Sequence, residues 1–208
     1  MEKTYRILAI NPGSTSTKIS VFENLQEVYA ETLRHSSDEL QPFQCVADQF
    51  AFRKALIVEA LEKAGIDLQT ISAVIGRGGL VKPIPSGVYE MNDALKHDLL
   101  HSQLGDHASN LGGLLAADIA AMIPGVKAYI ADPVVVDEME DVARLTGHPQ
   151  IRRVSIFHAL NQKAVARAYA RTLGKRYEEL NLVIAHIGGG FSIGAHRHGR
   201  VIDATNAM

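Results

Sequence analysis

The densest group of candidate chemistry lies close to the amino terminus. Asn11-Pro12-Gly13-Ser14-Thr15-Ser16-Thr17-Lys18 sets one amide, four hydroxyls and one ammonium on what reads as a turn. Hydroxyl and backbone N–H donors beside a single cation suit phosphate or another anion. The stretch is not a Walker A loop, because the Gly-Lys-Ser/Thr ending is absent and a strand pattern follows it. A plain polar hairpin turn has the same composition, and taken alone the segment favours that reading. Gly188-Gly189-Gly190 follows an apolar run and begins two residues after His186. Backbone could approach a ligand there beside an imidazole, or the segment could be a tight hairpin with a core histidine. Gly76-Arg77-Gly78-Gly79 places one guanidinium at a strand end, where its fork of donors suits carboxylate or phosphate, although most single arginines are solvated surface groups. Asp132 closes another apolar run, at the position where α/β sheets display ligand-binding groups; capping a helix ahead of Pro133 is the alternative.

Two further patterns are weaker. Gly190-Phe191-Ser192-Ile193-Gly194 matches the nucleophile elbow of serine hydrolases, but that elbow needs a helix after the serine and a histidine after the acid. Here Ser192 begins a strand pattern and no histidine follows Asp203. His196-Arg197-His198 alternates across a strand without a third metal ligand nearby in sequence, so both histidines are expected to face solvent on a hairpin.

The elements that must position these groups alternate between strand and helix. Strands are expected at 6–10, 18–22 and 27–33. Helical spacing of Phe43, Val46, Phe50, Ile57, Ala60 and Leu61 then runs until Gly65. A strand at 71–75, helices at about 92–103 and 109–122, and a strand at 128–131 complete an α/β unit. A short acidic helix near 137–145 leads to Gly147-His148-Pro149, the expected boundary between a domain at 1–150 and a second at 151–208. The second starts with a helix at about 157–173, with Leu160, Ala164, Val165 and Ala168 on one face, then strands at 182–185, 191–196 and 200–204.

Composition sets the outer limits. With 208 residues, 47% hydrophobic and 21% charged, the chain has material for a real core and no mark of disorder. A net charge of −2 gives no electrostatic case for nucleic acid or an anionic membrane. Cys45 is the only cysteine, which excludes an internal disulfide and fits a reducing compartment. The first apolar run is only four residues long and no later stretch could span a bilayer, so a cytoplasmic location is expected.

Read together, Ile7 to Lys18 resembles the opening signature of the acetate and butyrate kinase family, in the form of its butyrate branch. Further stretches are similar to that branch in the same order: Gly76 to Gly79, His107 to Gly113, Asp132 to Glu138, Ser155 to Lys163, and His186 to Gly190. The resemblance covers essentially the whole chain. It implies an actin-like, ribonuclease-H-like α/β domain of the sugar-kinase superfamily, followed by the start of a second similar domain, with the active site in a cleft between them. It implies phosphoryl transfer from ATP with Mg2+ to a short fatty-acid carboxylate, in a homodimer or larger homo-oligomer. By the same resemblance Asn11, Ser14, Ser16 and Lys18 line the phosphate side, with Asn11 and Asp132 near magnesium. His158 contacts the transferred phosphoryl, Arg77 and His107 serve the substrate, Arg77 with Asp132 and His158 forms the catalytic set, and His186 with Gly188, Gly189 and Gly190 holds the nucleotide phosphates. Gly189 stands where acetate kinases carry asparagine. Members of the family continue well past the point matched by Met208, into the adenosine pocket, so the 208-residue chain alone is expected to be inactive and to leave a sheet face and edge uncovered beyond about residue 150. The alternative is a non-catalytic fragment that binds phosphate or a carboxylate.

Overall fold

The computed structural model describes residues 3–188 and 190–205, so Gly189 and Met208 lie outside the described residues. Two compact units result: Met1–Val81 with Val88–Ala131, and Lys82–Gly87 with Asp132–Met208. The division falls at Ala131/Asp132, ahead of the turn at Gly147-His148-Pro149, which lies inside the second unit.

The first unit begins with three antiparallel strands, β1 (Arg6–Pro12), β2 (Ser16–Glu23) and β3 (Gln26–Arg34). A one-turn helix α1 (Ser37–Leu40) leads to α2 (Phe50–Lys63), β4 (Ala73–Arg77), β5 (Val88–Glu90), α3 (Asp93–Leu100), α4 (Asn110–Ala121) and β6 (Lys127–Ala131). The sheet order is β3-β2-β1-β4-β6-β5, with β1, β4 and β6 parallel. Leu8, Ile10, Ile19, Val21 and Val74 on the sheet pack with Ile57 and Leu61 of α2 and with Leu111, Leu115 and Ile119 of α4 in one core.

Two local chemistries set the ends of α2. Phe43 and Val46 lie outside it, because the Asp48 carboxylate accepts from the amides of Gln44 and Cys45 at 3.1 and 3.2 Å and turns the chain there. Its other end stops at Gly65, whose φ of 69° suits glycine and whose N–H returns to the Glu62 carbonyl.

The second unit holds α5 (Ala159–Thr172) and an antiparallel meander of β7 (Asn181–Ile187), β8 (Phe191–Arg197) and β9 (Arg200–Ala204). The expected acidic helix at 137–145 is only a 3-10 turn at Asp141–Arg144. Arg144 clamps the Asp137 carboxylate at 2.9 and 2.7 Å, while Glu140 N–H donates to the Ile202 carbonyl, and together these hold the segment extended. The buried stripe of α5 also differs from expectation. It carries Ala159, Gln162, Lys163, Ala166 and Ala170, leaving Leu160 and Val165 exposed. Small residues let the helix lie close, and Lys163 is admitted because Glu138 pairs with it at 2.8 Å. Outward positions Val183, Ile187, Phe191 and Ile193 are exposed on the meander, in line with the expected uncovered sheet face.

His196 corrects another expectation. It is 2% exposed, because Ser192, Gly194 and His196 occupy alternate, inward positions of β8. His198 does sit at the hairpin turn, with φ of 49°.

Gly76 decides how β4 meets α4. A Cβ at Gly76 would lie 2.0 Å from the Gly112 carbonyl oxygen, and one at Gly112 would lie 2.3 Å from the Arg77 carbonyl oxygen. Backbone rests on backbone here, and neither side can yield as a side chain would. Gly76→Ala is therefore expected to destabilise the protein by at least about 3 kcal/mol, read as a lower urea midpoint. An unchanged midpoint would show that strand and helix can separate freely.

Candidate functional site

In the first unit, the turn between β1 and β2 is organised from below by Arg53 of α2, a residue with no exposed surface. Its guanidinium donates to the carbonyls of Gly13 at 2.8 Å, Ser14 at 3.1 Å and Ser16 at 3.1 Å, to Thr17 Oγ1 at 3.0 Å, and to Gln49 Oε1 at 2.7 Å. The turn's carbonyl oxygens, which would repel an anion, are thus bound on the inner side. Ser14 and Thr15 are exposed, and no described residue accepts from their amide N–H groups. Donors are what remains for a ligand.

Strand register brings the other polar groups of this unit into line. Asn11 pairs with Lys18 across β1 and β2, and Ile10 pairs with Gly76 across β1 and β4, so Arg77 is next in register beside Asn11. Because Ile10, Ile19 and Gly76 face the helices, Asn11, Lys18 and Arg77 share the opposite face, with Asn11 and Arg77 at the carboxyl ends of parallel β1 and β4 and Lys18 beside Asn11 near the start of antiparallel β2. Arg77 is half-buried, burial pulls its pKa below the ordinary value, and no described carboxylate pairs with it. Buried cations are usually paired, so a guanidinium left this way is a candidate anion ligand. His107, on the loop ahead of α4, accepts the Ser109 N–H on Nδ1 at 3.1 Å, which leaves the neutral ring's proton on Nε2. Burial first, and Arg77 second, hold its pKa below the ordinary range.

In the second unit, Asp132 is buried with φ of 36°, a conformation that costs a non-glycine residue on the order of 1 kcal/mol or more. Its Oδ1 accepts from Ser86 Oγ at 2.6 Å and Gly87 N–H at 2.9 Å, while Oδ2 faces Arg167 at 3.5 Å. These bonds keep the carboxylate aimed. His158 stands at the amino end of α5 with its ring stacked on His186, centroids 3.7 Å apart and planes 10° from parallel. Asn161 Nδ2 lies 2.9 Å from His186 Nδ1. Gly188 N–H donates to the Gly190 carbonyl at 3.0 Å, closing the glycine turn. Among the described residues, no cluster of three His, Cys, Asp or Glu could hold a metal, so Asp132 is the carboxylate available to a cation in this unit's candidate set.

The hydrolase pattern also finds its physical answer. Ser192 Oγ does lie 2.8 Å from His158 Nδ1, yet it is fully buried and already accepts from His158 N–H and Gln162 Nε2. A serine so enclosed cannot attack a substrate.

Sequence reasoning missed Arg53, Ser109, Asn161 and Gln162. Arg53 left one readable signal, a cation in register with Ile57, Ala60 and Leu61 on the buried stripe of α2.

The chain is similar to known proteins first in fold and then in sequence. The structure matches acetate kinase from Porphyromonas gingivalis with TM-score 0.70 and 19% identity over 98% of this chain and 57% of that one. It matches a propionate kinase from Francisella tularensis with TM-score 0.67 and 18% identity over 98% of this chain and 57% of that one. The fold is the actin-like α/β fold of these kinases.

A family model described as the acetokinase family matches residues 142–208. Butyrate kinase 2 of Clostridium acetobutylicum is 55% identical over 98% of this chain and 57% of its own length. A probable butyrate kinase of Bacteroides thetaiotaomicron is 55% identical over 98% of the chain and 57% of its own. The chain is thus similar to butyrate kinases along almost all of its own length, and it spans 57% of the length of those relatives.

Arg53→Lys keeps the charge but cannot reach five acceptors at once. We expect a loss of about 2 kcal/mol in urea unfolding, together with weaker binding of inorganic phosphate in calorimetry. Unchanged stability would show that the turn holds its own shape.

Proposed function

We propose that the protein containing this chain transfers the γ-phosphoryl group of ATP to a short-chain fatty-acid carboxylate, giving an acyl phosphate and ADP. The observation that carries the reading is Arg77, a half-buried guanidinium without an anionic partner among the described residues, beside a neutral His107 and in register with Asn11 and Lys18. The identity of 55% to a butyrate kinase supports the choice of acid. A carboxylate is ionised at neutral pH and is itself the nucleophile, so no general base is needed. Its oxygen forms the new bond to phosphorus as the bridging oxygen to ADP leaves, with no net proton transfer.

What the protein must supply is charge management. Arg77 and His107 take the substrate carboxylate. Ser14, Ser16 and Lys18, on the turn held by Arg53, and His186 with the glycines after it take the phosphates. Asp132 and Asn11 serve magnesium, which when bound neutralises charge on the phosphate oxygens. The fit is reasonable, because this cation usually keeps several waters and takes only one or two protein carboxylates alongside the phosphates. Asp132 offers one, oriented by Ser86 and Gly87. His158 contacts the transferred phosphoryl group. We read residues 151–208 as the opening of a second actin-like domain, and the complete protein as a cytoplasmic homo-oligomer. No helix among the described residues is long and apolar enough to cross a membrane.

In the complete protein, ATP, magnesium and butyrate should give acyl phosphate that hydroxylamine traps. Arg77→Ala should lower that turnover on the order of 100-fold or more while the melting temperature holds. Near-normal turnover would remove Arg77 from the site. His158→Ala should lower kcat with little change in KM for ATP, the pattern of an interaction made mainly in the transition state. A large rise in KM at constant kcat would make His158 a ground-state nucleotide ligand.

A further inference from the structure

A buried chain of hydrogen bonds runs from Tyr177 to the ring of His158, and its directions can be assigned link by link. The Ser192 backbone carbonyl can only accept, so the Gln162 amide atom 3.1 Å from it is the nitrogen. That nitrogen gives its second hydrogen to Ser192 Oγ at 2.9 Å. Gln162 Oε1 then faces His196 Nε2 at 2.9 Å, which must carry a proton. Gly194 makes the room, since a Cβ there would lie 2.3 Å from Gln162 Oε1 and 2.9 Å from His196 Nε2.

Burial, helped by Lys163, pushes His196 down to about 4, so its ring is neutral and Nδ1 accepts the Tyr177 hydroxyl at 2.5 Å. Burial also raises the Tyr177 phenol above its ordinary range, so it keeps the proton it donates. At the other end, Ser192 Oγ receives from Gln162 Nε2 and from the His158 backbone N–H at 3.1 Å. Those two donors fill its lone pairs. Its own hydrogen is left for His158 Nδ1 at 2.8 Å, and a nitrogen that accepts carries no proton. The parallel stack on His186, with centroids 3.7 Å apart, holds the ring in that plane.

We infer that Ser192 and Gln162 are positioning residues that fix His158 as the Nε2–H tautomer, so that a hydrogen-bond donor is the group His158 offers to the transferred phosphoryl. The role rests on the carboxylate-kinase reading; the tautomer does not. The opposite tautomer would offer a lone pair, which repels the oxygens of a phosphoryl group. Asn161 treats His186 in the same way, placing an amide nitrogen on its Nδ1.

The test is nitrogen-15 NMR of the histidine rings in the intact protein without nucleotide, with His158→Gln used to assign the signals. Wild type should show His158 protonated on Nε2 alone. Ser192→Ala should give a mixture of both tautomers and lower kcat on the order of 10- to 100-fold, the usual cost of losing a partner that orients a reactive ligand, with KM for ATP held. Proton on Nδ1 in the wild-type spectrum would overturn the inference without any variant, even if Ser192→Ala fails to fold. A folded Ser192→Ala protein with normal kcat would overturn the positioning role. Because the spectrum needs no substrate, an Nε2–H tautomer in a protein that phosphorylates no carboxylate would sink the kinase reading and leave the relay standing.

Discussion

A guanidinium sealed beneath the first turn is the contact on which the shape of that turn depends. Arg53 has no exposed surface, burial lowers its pKa, and no described carboxylate pairs with it. Burying a cation is costly unless its donors are satisfied, and here the donors are satisfied by carbonyls of the turn itself. One arrangement therefore meets two needs. The charge finds acceptors, and the turn loses the option of presenting those acceptors outward. The positive charge remains uncancelled at the base of the turn, where it adds to the attraction for an anion. His35 ties the same turn to the end of β3, through its N–H to the Thr15 carbonyl and its Nε2 to Thr17 Oγ1 at 2.9 Å. The buried Nδ1 of His35, without a hydrogen bond, is the local cost of that closure.

The alternation of side chains along a strand carries this order outward. Contact of Gly76 with the backbone of α4 fixes which face of β4 is inward, and Arg77 is then forced to the other face, beside Asn11 and Lys18. The same period of two acts on β8 with the opposite result. Ser192, Gly194 and His196 all point inward, and Gly194 leaves the space into which the Gln162 amide fits. A glycine in each strand thus does steric work: one lets backbone meet backbone, the other admits a polar side chain to a core.

What the sequence made legible was periodicity and motif. The strands at 6–10, 18–22, 191–196 and 200–204 lie within or nearly coincide with β1, β2, β8 and β9, because alternation or an apolar run survives folding as a burial pattern. The actin-like class followed from motifs in order along the chain. What stayed hidden depends on pairing across long separations. Gln162 and His196 are 34 residues apart, and neither looks like a core residue alone. Lys163 on a buried stripe makes sense only with Glu138, 25 positions earlier. Gly76-Arg77-Gly78-Gly79 is legible in sequence as a guanidinium at a strand end, whereas the packing of Gly76 and Gly79 against the protein's own α4 is a contact that no local pattern announces.

The two units differ in how they hold charge. Lys18 and Arg77 are cations that no described carboxylate neutralises, suited to attract anions from solution. His158 and His186 of the second unit are held differently, each by a hydrogen-bond donor on Nδ1 and by the stacked ring of the other. Under the carboxylate-kinase reading this separation has a reason. Cations at Lys18 and Arg77 offset the mutual repulsion of two anions, which serves binding and transfer alike. A fixed neutral donor gains most where negative charge is redistributed during transfer and needs no rearrangement to meet it. Under that reading the relay behind His158 can be altered without touching the cations at Lys18 and Arg77.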